Sequence, residues 1–230
     1  MQLSCEAPAA QERAEAVIAL AGQHELRGLL ARGTRLQGWA LAVQGQWVEG
    51  IAQMRQGMDV LHTMGGEAAQ HRYRLALLAE VYAWIGQTAE AWRLLAEALA
   101  LTLHYGGHFY EVEVHRLTGE VLLMQDAGGG VSGSSPSDLS MRDEPEREAA
   151  GQSPRPTEAE TWFRQALDIA RQQQAKSLEL RAAMSLSRLW QQQGKCTDAY
   201  QLLAPIYGWF TEGFDTADLH DAKALLEALA

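Results

Sequence analysis

A chain of 230 residues, 47% hydrophobic and 21% charged, has ample material for a core, and no run approaches the roughly 18 apolar residues of a membrane span. Its net charge of −10 and the absence of any basic block exclude nucleic acid as the expected partner, because phosphate binding needs clustered cations that release counterions. Two distant cysteines, Cys5 and Cys196, give neither a disulfide framework nor a zinc site, and MQLSCEAPAAQERAEA lacks the basic start and apolar run of a secretory signal, so a cytoplasmic location is expected.

In chain order, the first element is a helix over residues 10–21, with Ala10, Ala14 and Val17 on one stripe. It reads as the second helix of a hairpin whose first helix is absent. A longer array cut at this point and a modified capping helix both fit that half-hairpin. From Leu30 to Leu61 a looser hairpin follows, with Gly38, Leu41, the turn Gly45, then Gly50, Met54 and Gly57 in phase.

The stretch Leu75 to Leu103, LALLAEVYAWIGQTAEAWRLLAEALALTL, is the clearest unit. Its order of Leu75, Leu78, Ala79, Tyr82, Gly86, Ala91, Leu95 and Ala98 resembles the tetratricopeptide (TPR) repeat. A hairpin with an apolar stripe on each helix cannot bury both stripes alone, so copies must stack. The resemblance implies an all-α, right-handed α-solenoid of antiparallel hairpins. The small positions recur at about 40 residues per repeat, longer than the ~34 of an ordinary unit, so each helix is expected to be a rod of roughly 27 Å.

The third repeat starts in phase at His115, Thr118, Gly119 and Leu122, but its second helix, TEAETWFRQALDIA, arrives late. The intervening residues 126–156, DAGGGVSGSSPSDLSMRDEPEREAAGQSPRP, are rich in Gly, Ser and Pro and cannot bury enough surface to offset their ordering entropy, so they are expected to form a disordered insertion. GGGVSGSS lacks the Lys and following hydroxyl of a phosphate loop, and no strand precedes it. Thr157 and Glu160 have the spacing of a capping box. The fourth repeat carries Ala183, Leu186, Ser187, Trp190, Gly194, Ala199, Leu203 and Ile206, with Pro205 expected to kink its second helix. A last helix, capped by Asp215, presents Ala222, Leu225, Leu226 and Leu229 and should cover the end of the stack. Residues 1–230 are thus expected to form a single repeat domain of about four and a half repeats.

Three stretches, HRLTGEVLL (115–123), AKSLELRAAMSLSRLWQQQGK (175–195) and LLAPIYGWFTEGFDTADL (202–219), resemble the C-terminal TPR-like region of large bacterial proteins that join an adenylate or guanylate cyclase domain to an AAA-type ATPase. The resemblance implies an interaction or regulatory module of a signalling protein and carries over no catalytic residue. The chain has no GxxxxGK[ST] motif and no nucleophile paired with a base, so it is not expected to be an enzyme or to hold a cofactor. His104, His108 and His115 form the densest titratable group, but Gly106 and Gly107 break the register between the first two, which disfavours a metal site.

In TPR arrays the first helix of each pair lines the concave surface. That register places Arg35, Trp39, Tyr73, Glu80, Trp84, Arg116, Glu120, Arg181, Met184 and Arg188 in a groove, where aromatics and arginines anchor a protein or peptide segment, upstream domains of the same polypeptide included. Glu111, Glu113 and Glu120 could supply general acid or base chemistry in a pocket but read as solvated helix acids, and Arg116, Arg181 and Arg188 read as the groups that receive carboxylates of an acidic segment. The bland readings stand beside these: Trp39 and Trp84 fit core packing equally well, and the arginines can simply neutralise the glutamates beside them. The Lys and Asn clamp of co-chaperone TPR domains is not expected, since Trp39 and Leu77 stand where its asparagines would be. A homo-oligomer contact through the exposed N-terminal repeat face is a further expectation. The alternative function is a small-molecule effector sensor, because TPR-like regions of some bacterial transcription activators resemble this one; an enclosed pocket would favour it, an open groove the interaction module.

Overall fold

Gly45, Gly86 and Gly194 adopt φ of +89°, +75° and +77°, a left-handed conformation that strains any residue with a Cβ. One residue further on, an amide reaches back across each turn: Gln46 donates to the Leu41 carbonyl at 2.9 Å, Gln87 to Tyr82 at 2.9 Å and Lys195 to Trp190 at 2.8 Å. These bonds satisfy carbonyls that a helix end otherwise leaves open. The chain therefore reverses tightly at the same internal position in three of its hairpins.

In a computed structural model of the protein, which describes residues 3–65, 68–105, 110–127 and 154–230, these turns join helices of 17 or 18 residues, except that the last leads into a helix of 12. Helix α1 (Leu3–Gln23) precedes the pairs α2 (Arg27–Val43) with α3 (Trp47–Thr63), α4 (Ala68–Trp84) with α5 (Thr88–Tyr105), α6 (Glu111–Ala127) with α7 (Pro154–Gln172), and α8 (Lys176–Gln192) with α9 (Cys196–Tyr207); α10 (Ala217–Leu229) follows. No strand occurs among the described residues. Helices of 17 residues, as in α2, α4 and α8, are about 26 Å long at 1.5 Å per residue. The protein is an all-α helical repeat solenoid.

Small residues set how closely each hairpin closes. A Cβ added to Gly38 would lie 2.5 Å from the Gly50 carbonyl oxygen, and one on Gly50 would lie 2.6 Å from that of Gly38. Ala79 and Ala91, the equivalent pair, are both fully buried. In the last repeat Ser187 donates its hydroxyl to the Ala199 carbonyl at 3.2 Å. The third repeat solves the same problem differently, with the ring of Phe163 seated against Gly119.

Two apolar clusters run through the stack, and α6 belongs to both. Its Val114, Leu117 and Val121 join the core of α2 to α5, while Val112 and Leu122 join the core of α7 to α10. Trp47, Trp92, Trp162 and Trp190 sit at packing positions against these clusters, as their register indicates. The turn from α1 to α2 has the geometry of the turn from α7 to α8: Glu25 and Gln174 share a φ of +54°, and Leu26 and Ala175 each donate back at 2.9 Å. The α1–α2 turn is thus of the kind that joins one hairpin to the next, and Val17, Leu20, Leu29 and Leu30 are exposed on these two helices.

Three local expectations change. Helix α7 begins at Pro154, three residues before Thr157, because proline lacks the amide that the first helical turn cannot pair and its φ is already helical. The Thr157 carbonyl then accepts from the Thr161 hydroxyl at 3.0 Å, and no capping box forms. Thr216, in an extended conformation, occupies the cap position of α10 in place of Asp215 and donates its hydroxyl to Gly213 at 2.7 Å. Pro205 lies in the last turn of α9, which ends two residues later at Tyr207. Of the insertion expected over 126–156, residues 128–153 lie outside the described residues, whereas its edges complete α6 and start α7, which pack against each other as a hairpin.

Candidate partner-binding site

Stacking aligns the first helices α2, α4, α6 and α8 side by side. Helix α10 packs on α8 and α9, and the residues that lead into it return across the same face. The result is a cavity of about 630 Å³. Its walls are Arg35, Leu36 and Trp39 from α2, Tyr73, Ala76, Leu77 and Glu80 from α4, Glu113 and Leu117 from α6, and Leu180 and Arg181 from α8. Phe210, Glu212, Gly213, Thr216, Asp218 and Leu219 close the far side.

The structure brings together Arg35, Trp39, Tyr73, Glu80 and Arg181 in this cavity and distributes the remaining groove candidates elsewhere. Trp84 stands edge-on to Trp47, with ring centroids 6.4 Å apart. Met184 is buried in the C-terminal core. Arg188 is exposed and lies 4.0 Å from Asp221. Arg116 is 5% exposed and sits behind the cavity wall with Glu120. Asp218, Phe210 and Glu212 went unnoticed in the sequence because only the return of α10 across the concave face brings them in; the restart of a helix after GWFTEGF was the sole local signal.

Glu113 and Glu120 are not solvated helix acids, and Glu80 shares their cation. Arg116 donates to all three: from Nε to Glu113 at 2.8 Å, from Nη1 to Glu120, and from Nη2 to Glu80 at 3.5 Å. Ser185 of α8 also donates to Glu120 at 2.8 Å. Arg181 extends the chain of charges, with Nη1 2.8 Å from Glu113, Nη2 4.0 Å from Glu80 and Nε 3.9 Å from Asp218. The Arg181 contact to Glu113 is a close charge contact without hydrogen-bond alignment, since Glu113 Oε1 has no hydrogen-bond partner. One ion network thus ties α4, α6, α8 and α10 along the cavity floor.

Carboxylates outnumber guanidiniums in that network: Glu80, Glu113, Glu120 and Asp218 share Arg116 and Arg181. Burial therefore wins at Glu80 and pushes its carboxyl up to about 7, although Arg116 opposes the shift. Asp218 is also raised, chiefly by burial and against the pull of Arg181. Burial opposes ionisation of Glu120 too, but Arg116 and the Ser185 hydroxyl outweigh it and leave that carboxyl lowered. Arg116 and Arg181 are already committed to these acids, so they do not form the carboxylate-receiving face that the sequence suggested.

The α2 end of the cavity has the opposite character. Arg35 lies 6.0 Å from the centre of the Tyr73 ring, which stacks on Tyr110 at 4.3 Å. Burial lowers the Arg35 pKa, and neighbouring Arg32 lowers it further. Trp39 Nε1 and Arg35 Nε are buried without a hydrogen-bond partner. Of the histidines, His115 stacks on Trp162 at 5.1 Å and lies 3.6 Å from Glu111; His108 and the side chain of His104 lie outside the described residues. Among the described residues no cluster of His, Cys, Asp and Glu is arranged to hold a metal ion, and no helix is long and apolar enough to cross a membrane.

The helical pairs, their Gly-centred turns and the concave cavity define a TPR-like repeat protein. Solved structures agree at the level of fold. The chain superposes on BtubC (BKLC) from P. vanneervenii with a TM-score of 0.64 at 14% identity, over 100% of this chain and 83% of that one. It superposes on the nearly identical TPR-like repeats of a kinesin light chain protein from Podosopora anserina with a TM-score of 0.53 at 16% identity, over 90% and 88%. No protein-family model matches the sequence, and no curated protein matches it.

Proposed function

We propose that this chain is a non-catalytic interaction module whose concave cavity receives a short peptide segment of a partner protein. The observation that carries this reading is the cavity itself: Trp39 and Tyr73 are held on adjacent first helices beside Ala76 and Leu77, and charged groups flank that apolar wall. Large aromatics in a partly dry recess are the residues that most often anchor a partner. A volume of about 630 Å³ accommodates a few side chains rather than a long helix. The resemblance of 115–123, 175–195 and 202–219 to the tail of cyclase and ATPase signalling proteins supports a segment from an upstream domain as the occupant.

The test is titration of a panel of short peptides, varied in charge and aromatic content, into the wild type and Trp39→Ala. Binding by a subset of peptides, weakened by about 2 kcal/mol in the variant, is the expected outcome. Indifference of every bound peptide to Trp39→Ala, with helicity intact, overturns the reading. One observation favours a second reading, a small-molecule effector site: the return of Phe210, Thr216 and Asp218 across the concave face makes a recess of ligand size where an open groove would run on. Thermal shifts with nucleotides or sugars, and none with peptides, would select it.

A further inference from the structure

Arg32 and Arg35 of α2 and Arg74 of α4 have no counter-charge among the described residues. Arg74 of α4 is 3% exposed, and burial together with Arg35 and Arg32 opposes its charge. No ion pair to a carboxylate is formed by Arg32, Arg35 or Arg74 among the described residues, in contrast to Arg116 and Arg181. Buried guanidiniums are ordinarily paired, because an uncompensated charge away from water is costly.

Around Arg35, at the α2 end of the cavity, the unsatisfied atoms are of one kind. Arg35 Nε, Arg74 Nε and Nη2, and Trp39 Nε1 are buried and lack a hydrogen-bond partner, and each is a donor that can never accept. What would satisfy them is a group made of acceptors carrying negative charge. Arg35 and Trp39 lie one helical turn apart on the cavity wall, while Arg74 is not on the wall and backs Arg35 from the next helix. The opposite end holds Glu80, Glu113 and Asp218, so the field along the cavity runs from positive at α2 to negative at α10.

Resting on the reading of the cavity as a binding site, we propose that its α2 end is an oxyanion subsite. Arg35 and Trp39 Nε1 donate to a carboxylate or phosphate of the ligand, Arg74 and Arg32 supply the supporting field, and the ligand's apolar body lies against Tyr73, Ala76 and Leu77. A ligand with its anion at this end keeps it away from the carboxylates at the other. The polarity fixes orientation as well as class: the ligand is an aromatic or aliphatic body with an anionic head, and a basic substituent toward Glu80 strengthens it. Charge-assisted bonds to an oxyanion are roughly twice as strong as neutral ones, and the bidentate geometry of guanidinium makes lysine a poor replacement.

Three probes with one aromatic body and different heads test this: O-phospho-tyrosine, phenylacetate and phenethylamine, titrated calorimetrically at low ionic strength into the full chain. The expected result is binding of phosphate or carboxylate or both, weakened by added salt, with phenethylamine at least tenfold weaker. Which anion binds identifies the source. Arg35→Gln reduces anion affinity about tenfold, and Arg35→Lys recovers only part of it. Without any anion Arg35→Gln melts at or above the wild type, because it removes one of three mutually repelling charges; this also establishes that the variant folds.

Equal binding of phenethylamine, anion binding indifferent to Arg35→Gln, or no binding of any probe overturns the oxyanion subsite. The two proposals fail separately. Peptides that depend on Trp39 while the anionic probes fail leave the interaction module standing without this subsite. Anionic probes that depend on Arg35 while no peptide binds leave the subsite standing and remove the peptide reading.

Discussion

At the residue scale the informative departures are buried charges. The Glu80 carboxyl holds its proton to about pH 7 in the folded protein but releases it near 4.3 when unfolded. Folding therefore takes up a proton between these values, and the contribution of Glu80 to stability is full below about pH 4.3 and is lost as pH rises toward 7. Glu80→Gln removes this loss and leaves Arg116 with Glu113 and Glu120. Its melting temperature should exceed that of the wild type at pH 8 and converge with it at pH 5; a parallel offset at both values would refute the assignment. Glu179 behaves oppositely: burial opposes its charge, but Lys176 at 2.7 Å and Arg171 at 3.0 Å prevail and lower its pKa. Its contribution is therefore lost as acid carries the pH through that lowered value. Gln174 holds a φ of +54° where Gly45, Gly86 and Gly194 serve at three other turns. Gln174→Gly should gain about 0.5–1 kcal/mol in a denaturant titration, since only glycine takes this conformation without a steric cost.

At the element scale the hairpin depends on contact between backbones. Because a Cβ on Gly38 would lie 2.5 Å from a carbonyl oxygen and 2.7 Å from the Met54 amide nitrogen, Gly38→Ala must spread α2 from α3. The expected cost is about 1–3 kcal/mol in denaturant midpoint; retention of wild-type stability would mean that the two helices separate freely. Helix α6 has its apolar residues on two sides because two cores meet on it, so a sequence stripe on one face underestimates its burial. Residues 128–153 separate α6 from α7, and their Gly, Ser and Pro content offers few groups for a core. Replacing them with a short Gly-Ser linker should leave far-UV helicity and melting nearly unchanged, since halving a loop alters its closure entropy by only about 0.6 kcal/mol. Loss of cooperative melting would show that this segment contributes to the folded array.

At the scale of the whole molecule, a solenoid holds each repeat through its neighbours alone, so its ends are where it opens. Helix α10 is the cover at one end: Leu219, Ala222, Leu225 and Leu229 are buried against the C-terminal core. Leu225→Ala should cost about 2–4 kcal/mol and raise amide exchange in α9 and α10 before that in α4 and α5. Uniform acceleration along the chain would instead indicate a single cooperative unit. The same helix shapes the site, because Asp218 and Leu219 are at once part of the cap and part of the cavity wall. The cavity is thus a product of how α10 folds back as well as of how the array repeats.

What the sequence determined alone is everything that follows from local periodicity. Glycines at a fixed interval, small residues paired across each turn and apolar stripes at helical spacing specify hairpins that must stack, and every pair appears where Gly38 with Gly50, Ala79 with Ala91 and Ser187 with Ala199 place it. Register along a first helix likewise put Arg35, Trp39, Tyr73, Glu80 and Arg181 on one face. Tertiary structure alone decided which charges are spent and which are not. Arg116 and Arg181 neutralise acids on α4, α6 and α10, Trp84 turns against Trp47, and α10 folds back to close the recess, whereas Arg35 and Arg74 meet no acid among the described residues. Periodicity fixes the face on which a residue stands, but pairing energies depend on distances between segments far apart in the chain, and those distances exist only once the repeats have stacked.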